Sequence, residues 1–317
     1  MGANIDINIS SPIVAIAGPT ASGKSEFALA LCKKLHGTII NFDSMQVYRE
    51  LRVLTARPDS ATEKIVPHKM YGYISGVKRG SVMLWRKKAL KEIQLSLKSG
   101  LVPVLVGGTG LYLKALIEGI SDVPITISKF RKKSEIILEK EGIDVFYKRV
   151  QKVEPNLESL ININDAQRLI RLYTVWLQTG KTLSEWREDN KPKNNISNNF
   201  LKVKLSPERE LLRSKINKRF YKMLEKGALE EVKLIEGYDF NLPIMKAHGV
   251  RELLAVLKKR ISIEEAAKIT INHTNQYAKR QETWFRHQYK ADYEIINYNN
   301  DIDKYCSNIL SIYKKLY

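Results

Sequence analysis

Residues 18–25 read Gly-Pro-Thr-Ala-Ser-Gly-Lys-Ser, a loop bracketed by glycines that ends in a lysine and a hydroxyl. It follows the β-branched apolar run 13–17 and opens into helical periodicity from Lys24 to Leu35. That is the strand, phosphate loop and helix order of a Walker A motif. The chemistry it offers is anion binding. Glycines let backbone N–H groups converge on phosphate oxygens at the positive end of a helix, Lys24 adds a mobile charge, and the Ser25 hydroxyl suits Mg²⁺. Gly18, Pro19, Thr20, Ala21, Ser22, Gly23, Lys24 and Ser25 are the candidate phosphate-binding residues.

A second candidate lies in the stretch Asn41-Phe-Asp-Ser-Met-Gln-Val-Tyr-Arg-Glu-Leu51. A strand ending at Asp43 beside the phosphate loop puts a carboxylate at the carboxyl edge of the sheet, where open α/β folds place ligands. The plainer alternative is an aspartate that caps the segment after it. No other apolar strand ends in the Asp or Glu that an ordinary NTPase uses for Mg²⁺ and water. The run 102–106 instead meets Gly107-Gly108-Thr109-Gly110, a turn that lets a base or another chain approach the backbone closely.

These residues need a frame to hold them. Strand-like runs at 13–17, 37–43 and 102–106 alternate with helical stretches at 24–35, 81–98 and after Gly110, joined by glycine-containing turns. The pattern predicts an α/β, P-loop NTPase-like three-layer fold with a mostly parallel sheet. Between 121 and 199 strand-like runs vanish, and helical spacing with basic faces takes over. This predicts a helical insertion domain at 121–199, closed by an Asn-rich loop over 188–200, within a catalytic core of 1–120 and 200–317. A strand within 201–207, helices over 207–237, and a helix opened by Ser262 with Glu265 in the capping-box position return the chain to the core. A last strand is expected within 292–298, before a terminal helix.

Composition narrows the classes. The 317 residues carry 53 Lys and Arg against 34 Asp and Glu, a net charge of +19 that attracts polyanions. An AT-rich genome inflates lysine and asparagine, both abundant here, and gives such an excess without nucleic-acid binding too. No stretch is long and apolar enough to span a membrane, and the first residues do not read as a secretory signal. A cytoplasmic monomer is expected, with Cys32 and Cys306 reduced and structural.

Taken together, the segments resemble the tRNA dimethylallyltransferases, also called tRNA isopentenyltransferases. The matching runs are 18–25, Asp43-Ser-Met-Gln-Val-Tyr-Arg49, Pro67-His68, Val106-Gly-Gly-Thr-Gly-Leu-Tyr-Leu-Lys-Ala-Leu116, Asn164-Asp-Ala-Gln-Arg-Leu-Ile-Arg171, Thr179-Gly-Lys-Thr-Leu-Ser-Glu-Trp186, 213–224 and Gln276-Tyr-Ala-Lys-Arg-Gln-Glu-Thr-Trp-Phe-Arg286. They occur in the family's order along nearly the whole chain.

The resemblance implies transfer of a dimethylallyl group from dimethylallyl diphosphate to N6 of adenosine 37, in the tRNA anticodon stem-loop. The loop at 18–25 would then hold an isoprenoid's diphosphate with Mg²⁺, and Asp43 would act as general base on a flipped adenine. Thr20 and Arg219 would face the bridging oxygen. Judged by its lysine-rich surroundings alone, Arg219 is a solvated helix charge. Ser44, Gln46 and the turn Gly107, Gly108, Thr109 and Gly110 are candidates for the adenine; Gln167, Arg168 and Arg171 for the anticodon loop. Gln276, Lys279, Arg280 and Trp284 are candidates for RNA on one helix face, although Trp284 and Tyr277 could equally belong to the core.

The chain departs from the family in three places. Gly-Thr-Ala-Lys is Leu54-Thr55-Ala56-Arg57 here, Ile-Gly-Tyr is His248-Gly249-Val250, and the arginine before Gln276 is Asn275. A small-molecule kinase, a free-adenylate isopentenyltransferase and a nucleotide-gated RNA-binding protein share the phosphate loop. The basic insertion and the 276–286 helix argue against the first two, and Asp43 against the third.

Overall fold

The computed structural model describes residues 12–191, 200–296 and 301–316. Six strands form one sheet: β1 (Ile13–Ala17), β2 (Gly37–Asn41), β3 (His68–Lys69), β4 (Val102–Gly107), β5 (Phe200–Leu205) and β6 (Tyr293–Ile295). They lie in the order β3-β2-β4-β1-β5-β6, and every pair is parallel. All five residues of β1 and of β2 are buried, as strands in a sheet covered on both faces must be. After β1 the chain winds to the β2 side, then crosses back to β5. The carboxyl end of β1 is therefore the point where the winding reverses, the place where open α/β sheets commonly take ligands.

The first helices are α1 (Lys24–Leu35), α2 (Ser60–Ile65), α3 (Val82–Lys98) and α4 (Gly110–Ile117). Ser81 caps α3 by accepting the Leu84 N–H, so the helix opens one residue after its predicted start. β2 ends at Asn41, two residues short of Asp43, and the short α2 interrupts a stretch that reads as loop. Asp59 nucleates α2 by accepting the Thr62 N–H, a side-chain cap outweighing weak periodicity.

The chain divides into two compact units, one containing 119–194 and the other holding the sheet. The first is helical: α5 (Ser128–Glu141), α6 (Ile143–Gln151), α7 (Leu157–Leu160), α8 (Ala166–Thr179) and α9 (Leu183–Asp189). Phe146, Val150, Leu169, Leu172 and Tyr173 form its core, and a buried 2.9 Å hydrogen bond joins Ser134 to Thr174. α9 runs through Asp189 into the predicted Asn-rich loop, β5 already begins at its last residue, Phe200, and 192–199 lie outside the described residues.

The sheet unit continues with α10 (Arg209–Glu225), α11 (Ala228–Lys233), α12 (Val250–Leu257), the long α13 (Ile263–Gln288) and α14 (Ile302–Lys315). Ser262 Oγ accepts the Glu265 N–H at the start of α13, as its spacing predicts. Cys32 and Cys306 are free thiols in the core around β1 and β5, where burial raises both pKa values. Among the described residues no helix is long and apolar enough to cross a membrane.

Candidate active site

A cavity of about 210 Å³ opens at the carboxyl edge of the sheet. Thr20, Asp43, Ser44, Arg219 and Tyr277 give it a polar side, and Leu54, Ile216, Phe220, Met223 and Ala247 an apolar one. Several elements far apart in sequence converge there.

The phosphate loop, 18–23, links β1 to α1. Within it the Ser22 N–H donates to Pro19 O at 3.3 Å and Ala21 takes a left-handed φ of 61°. The Lys24 ammonium turns back into the loop, donating to Pro19 O at 2.5 Å and Ser22 Oγ at 3.4 Å. Burial lowers its pKa to about 7, with Asp43 opposing and Arg219 assisting the shift. Ser25 stands exposed in the first turn of α1.

Asp43 sits two residues beyond β2. Asn41 bonds both its neighbouring backbone groups, accepting the Asp43 N–H at 2.8 Å and donating to Asp43 O at 3.1 Å. Asp43 Oδ1 accepts the Met45 N–H at 2.9 Å. The aspartate therefore does cap the turn after it, and that bond leaves the second carboxylate oxygen outside the turn while the residue lines the cavity. Capping and a cavity-facing role are one arrangement, not rivals.

The turn after β4 is tied to the turn after β2. Thr109 Oγ1 accepts the Ser44 N–H at 2.9 Å and donates to Ser44 Oγ at 3.2 Å. Gly108 and Gly110 are required by close approach: an added Cβ would lie 2.3 Å from Gln281 Nε2 and 2.3 Å from the Trp284 ring, respectively. Gln46 is turned elsewhere. Its amide donates to Thr55 O at 2.9 Å and Ala56 O at 3.2 Å, bracing the 51–57 loop.

From α10, Arg219 reaches the phosphate loop and donates from Nη2 to Thr20 Oγ1 at 2.8 Å. The solvated reading of this residue fails: its guanidinium is enclosed, desolvation lowering its pKa while Asp43 opposes. From α13, Tyr277 lines the cavity, its phenol held above the ordinary value by burial and by Asp43. His248 stacks obliquely on Tyr277, ring centroids 5.0 Å apart, and burial lowers its pKa. Trp284 is half-buried over Gly110 and edge-on to Phe285, so it serves packing at least in part. Gln276, Lys279 and Arg280 are exposed along the same helix.

Gln281 is a site residue that sequence reasoning missed. Its Oε1 accepts the Thr20 N–H at 2.8 Å and its Nε2 donates to Gly108 O at 2.8 Å. The signal was present: Thr274, Ala278, Gln281 and Phe285 form the buried stripe of α13, and a glutamine on such a stripe must find partners.

In the 119–194 unit, Gln167 and Arg168 lie exposed in the first turn of α8, Arg168 paired with Asp165 at 3.3 Å. Arg171 is half-buried, its guanidinium donating to Thr126 Oγ1 and Pro124 O. Of the departures, Arg57 spends its fork within its own loop, on Tyr48 O at 3.1 Å and Arg49 O at 3.2 Å.

A family model described as IPP transferase matches residues 46–288, and one described as isopentenyl transferase matches 11–76. A tRNA dimethylallyltransferase of Gluconobacter oxydans is 45% identical over 275 residues, 86% of this chain and 82% of that one. That of Rhodospirillum centenum is 42% identical over 282 residues, 88% of this chain and 90% of that one. Among solved structures, the full-length tRNA isopentenylpyrophosphate transferase of Bacillus halodurans aligns with a TM-score of 0.67 at 28% identity, covering 96% of this chain and 97% of that one. A eukaryotic dimethylallyltransferase captured acting on tRNA aligns with a TM-score of 0.78 at 25% identity, covering 95% of this chain and 80% of that one. Likeness of this extent, running through the loop, the turns and both ends of the cavity, settles the kinship: the chain belongs to the tRNA dimethylallyltransferases.

Proposed function

We propose that this chain, as an enzyme transferring a dimethylallyl group from its diphosphate to tRNA, modifies N6 of adenosine 37 in the anticodon stem-loop, with Asp43 taking the proton. One observation carries the reading: Asp43 and the hydrogen-bonded Arg219–Thr20 pair line the same cavity from opposite elements. In the reaction the allylic C1–O bond breaks, the N6–C1 bond forms, the N6 proton passes to the Asp43 carboxylate, and diphosphate leaves. An exocyclic adenine amine is a weak nucleophile, so a positioned carboxylate and stabilisation of the departing oxygen are both needed. The Arg219 guanidinium and Thr20 hydroxyl would supply the second, aided by Lys24 and the amides of residues 18–25.

The base lies in the stack of an RNA loop, so it must be flipped into the cavity at a cost of a few kcal/mol. Ser44 and the 107–110 turn border the side where it would enter, and Gln276, Lys279 and Arg280 offer exposed polar contacts for RNA. The 119–194 unit, with Gln167 and Arg168 exposed on α8, is the proposed holder of the anticodon arm. The chain would act as a monomer in the cytoplasm.

Mg²⁺ fits as an ion carried by the substrate. Among the described residues no group of three or more His, Cys, Asp or Glu could hold a metal, whereas the Ser25 hydroxyl is exposed in the first turn of α1. There the ion would neutralise charge on the diphosphate.

The test is to offer labelled dimethylallyl diphosphate with tRNA, free AMP, or ATP plus small alcohols. Label is expected on tRNA alone, at adenosine 37 after nuclease digestion. Label on AMP at comparable efficiency, or on another nucleotide, would overturn the proposal.

A further inference from the structure

On the apolar side of the cavity stands a leucine held from two sides. Leu54 lines the cavity and is 6% exposed. Behind it, the Glu231 carboxylate of α11 accepts three successive N–H groups, from Arg52 at 2.8 Å, Val53 at 2.6 Å and Leu54 at 3.0 Å. The Thr55 hydroxyl donates to Leu51 O at 2.5 Å, closing the same turn on itself. In front stands Gly249, which opens α12 with φ +95°. A Cβ there would lie 3.0 Å from Leu54 Cδ1, 3.3 Å from Phe220 Cε2 and 3.3 Å from Thr270 Cγ2. Three side chains thus converge on one bare stretch of backbone. Positions 54 and 248–250, where the chain departs from the family pattern, are neighbours in space, and the first puts a leucine where a glycine is usual.

We propose that Leu54 is the residue that limits the transferred group to five carbons, by walling the cavity at the depth of one isoprene unit. The inference rests on the reading above that this cavity receives the dimethylallyl group. An apolar hole of about 150 Å³ holds a benzene-sized group. The cavity, about 210 Å³, must hold the branched five-carbon chain beside the flipped base, and a second isoprene unit would have to displace the wall. Packed interiors yield little, and this wall is fixed by three backbone hydrogen bonds to one carboxylate. The ten-carbon homologue has the same allylic C1–O bond and leaving group, so only its tail is tested against the wall.

The experiment compares dimethylallyl and geranyl diphosphates as donors to tRNA, using the full chain and the variants Leu54→Ala and Leu54→Phe. Hydrophobic pockets discriminate about 10- to 200-fold per methylene-sized misfit. The unaltered chain should prefer the five-carbon donor at least about 100-fold in kcat/KM. Leu54→Ala should narrow that preference about tenfold or more, through KM for the ten-carbon donor. Leu54→Phe should raise KM for the five-carbon donor about tenfold while tRNA affinity stays unchanged. A misfolded loop cannot produce opposite shifts from smaller and larger side chains. A donor ratio that stays flat across both variants would overturn the proposal with the parent reading intact. Absence of five-carbon transfer by the unaltered chain would overturn both.

Discussion

Gln281 accepts the Thr20 N–H at 2.8 Å across 261 residues of chain, and the same amide group donates to Gly108 O at 2.8 Å. One buried side chain thereby spaces the phosphate loop from the turn after β4. Gln281→Leu removes both bonds and leaves two enclosed backbone groups unpaired, at about 1–3 kcal/mol each. A lowered melting temperature and a kcat reduced roughly 10- to 100-fold are expected, as when a hydrogen-bond partner that orients a binding group is lost. Gln281→Glu keeps an acceptor for Thr20 but loses the donor to Gly108 and adds a negative charge beside the loop proposed to hold the diphosphate. Its KM for the diphosphate should therefore exceed that of Gln281→Leu. A Leu variant that melts and turns over like the unaltered chain would refute the spacing role.

Arg219 and Thr20 act as one unit if the 2.8 Å bond between them is functional. Arg219→Ala should lower kcat about 10²- to 10³-fold, the usual loss when a preorganised donor to a developing anion is deleted. Arg219→Lys retains charge without the fork and should fall between. Thr20→Ala added to Arg219→Ala should cost less than the sum of the two, since each has already lost the shared interaction. Strict additivity in single-turnover rates would show that they contribute separately.

How far these residues could be foreseen varied with how local their physics is. β1, the loop and α1 lie within one continuous stretch, and their pattern reads directly from residue order. Asp43 was visible because a carboxylate at a strand's end is an anomaly among apolar residues. Arg219 stands apart from the lysines around it only through the family resemblance, since what separates them physically is the proximity of Thr20, 199 residues away in sequence. Gln46 shows the opposite limit: a polar residue beside Asp43 reads as a substrate contact, and residue order does not reveal that two loop carbonyls take its amide N–H groups. The helical unit was legible as helical from its spacing, whereas α2 rests on a single aspartate cap and was not.

Asp43 carries the sharpest test of the chemistry. Asp43→Asn keeps an oxygen to accept the Met45 N–H, so the turn should survive while the base is lost. Transfer is expected to fall about 10²- to 10⁴-fold, and Asp43→Ala should abolish it, with tRNA affinity nearly unchanged in both. Retention of most single-turnover activity by either variant would falsify the general-base role.

The Lys24 ammonium, turned back into its own loop, predicts a pH dependence near neutrality. Burial holds its pKa at about 7, far below the 10.5 of the unfolded chain. Between those values the unfolded state binds more protons, so folding stability rises with pH across the window. Below about 7 both states hold the proton, and the full penalty of an enclosed ammonium is present. Lys24→Met should therefore stabilise the fold most at pH 6 and progressively less toward pH 10. Diphosphate needs the ammonium form, so its binding near pH 8 should draw in a proton. Calorimetry in two buffers of different ionisation enthalpy reads that uptake directly, and equal heats would count against the assignment.

The exposed face of α13 makes an electrostatic prediction that separates RNA contact from catalysis. Lys279 and Arg280 are solvent-exposed, and Arg280 lies 5.8 Å over the Tyr277 ring at the cavity wall. If both meet phosphates, replacing them with alanine releases fewer counterions on binding. The slope of log K against log salt should then fall by about 0.7–0.9 for each contact removed. Affinity should drop most at low salt, while kcat at saturating tRNA holds, because neither side chain bonds to Thr20, Asp43 or Arg219. A double variant whose affinity is unchanged at every salt concentration would assign this face to solvent and move the RNA path elsewhere.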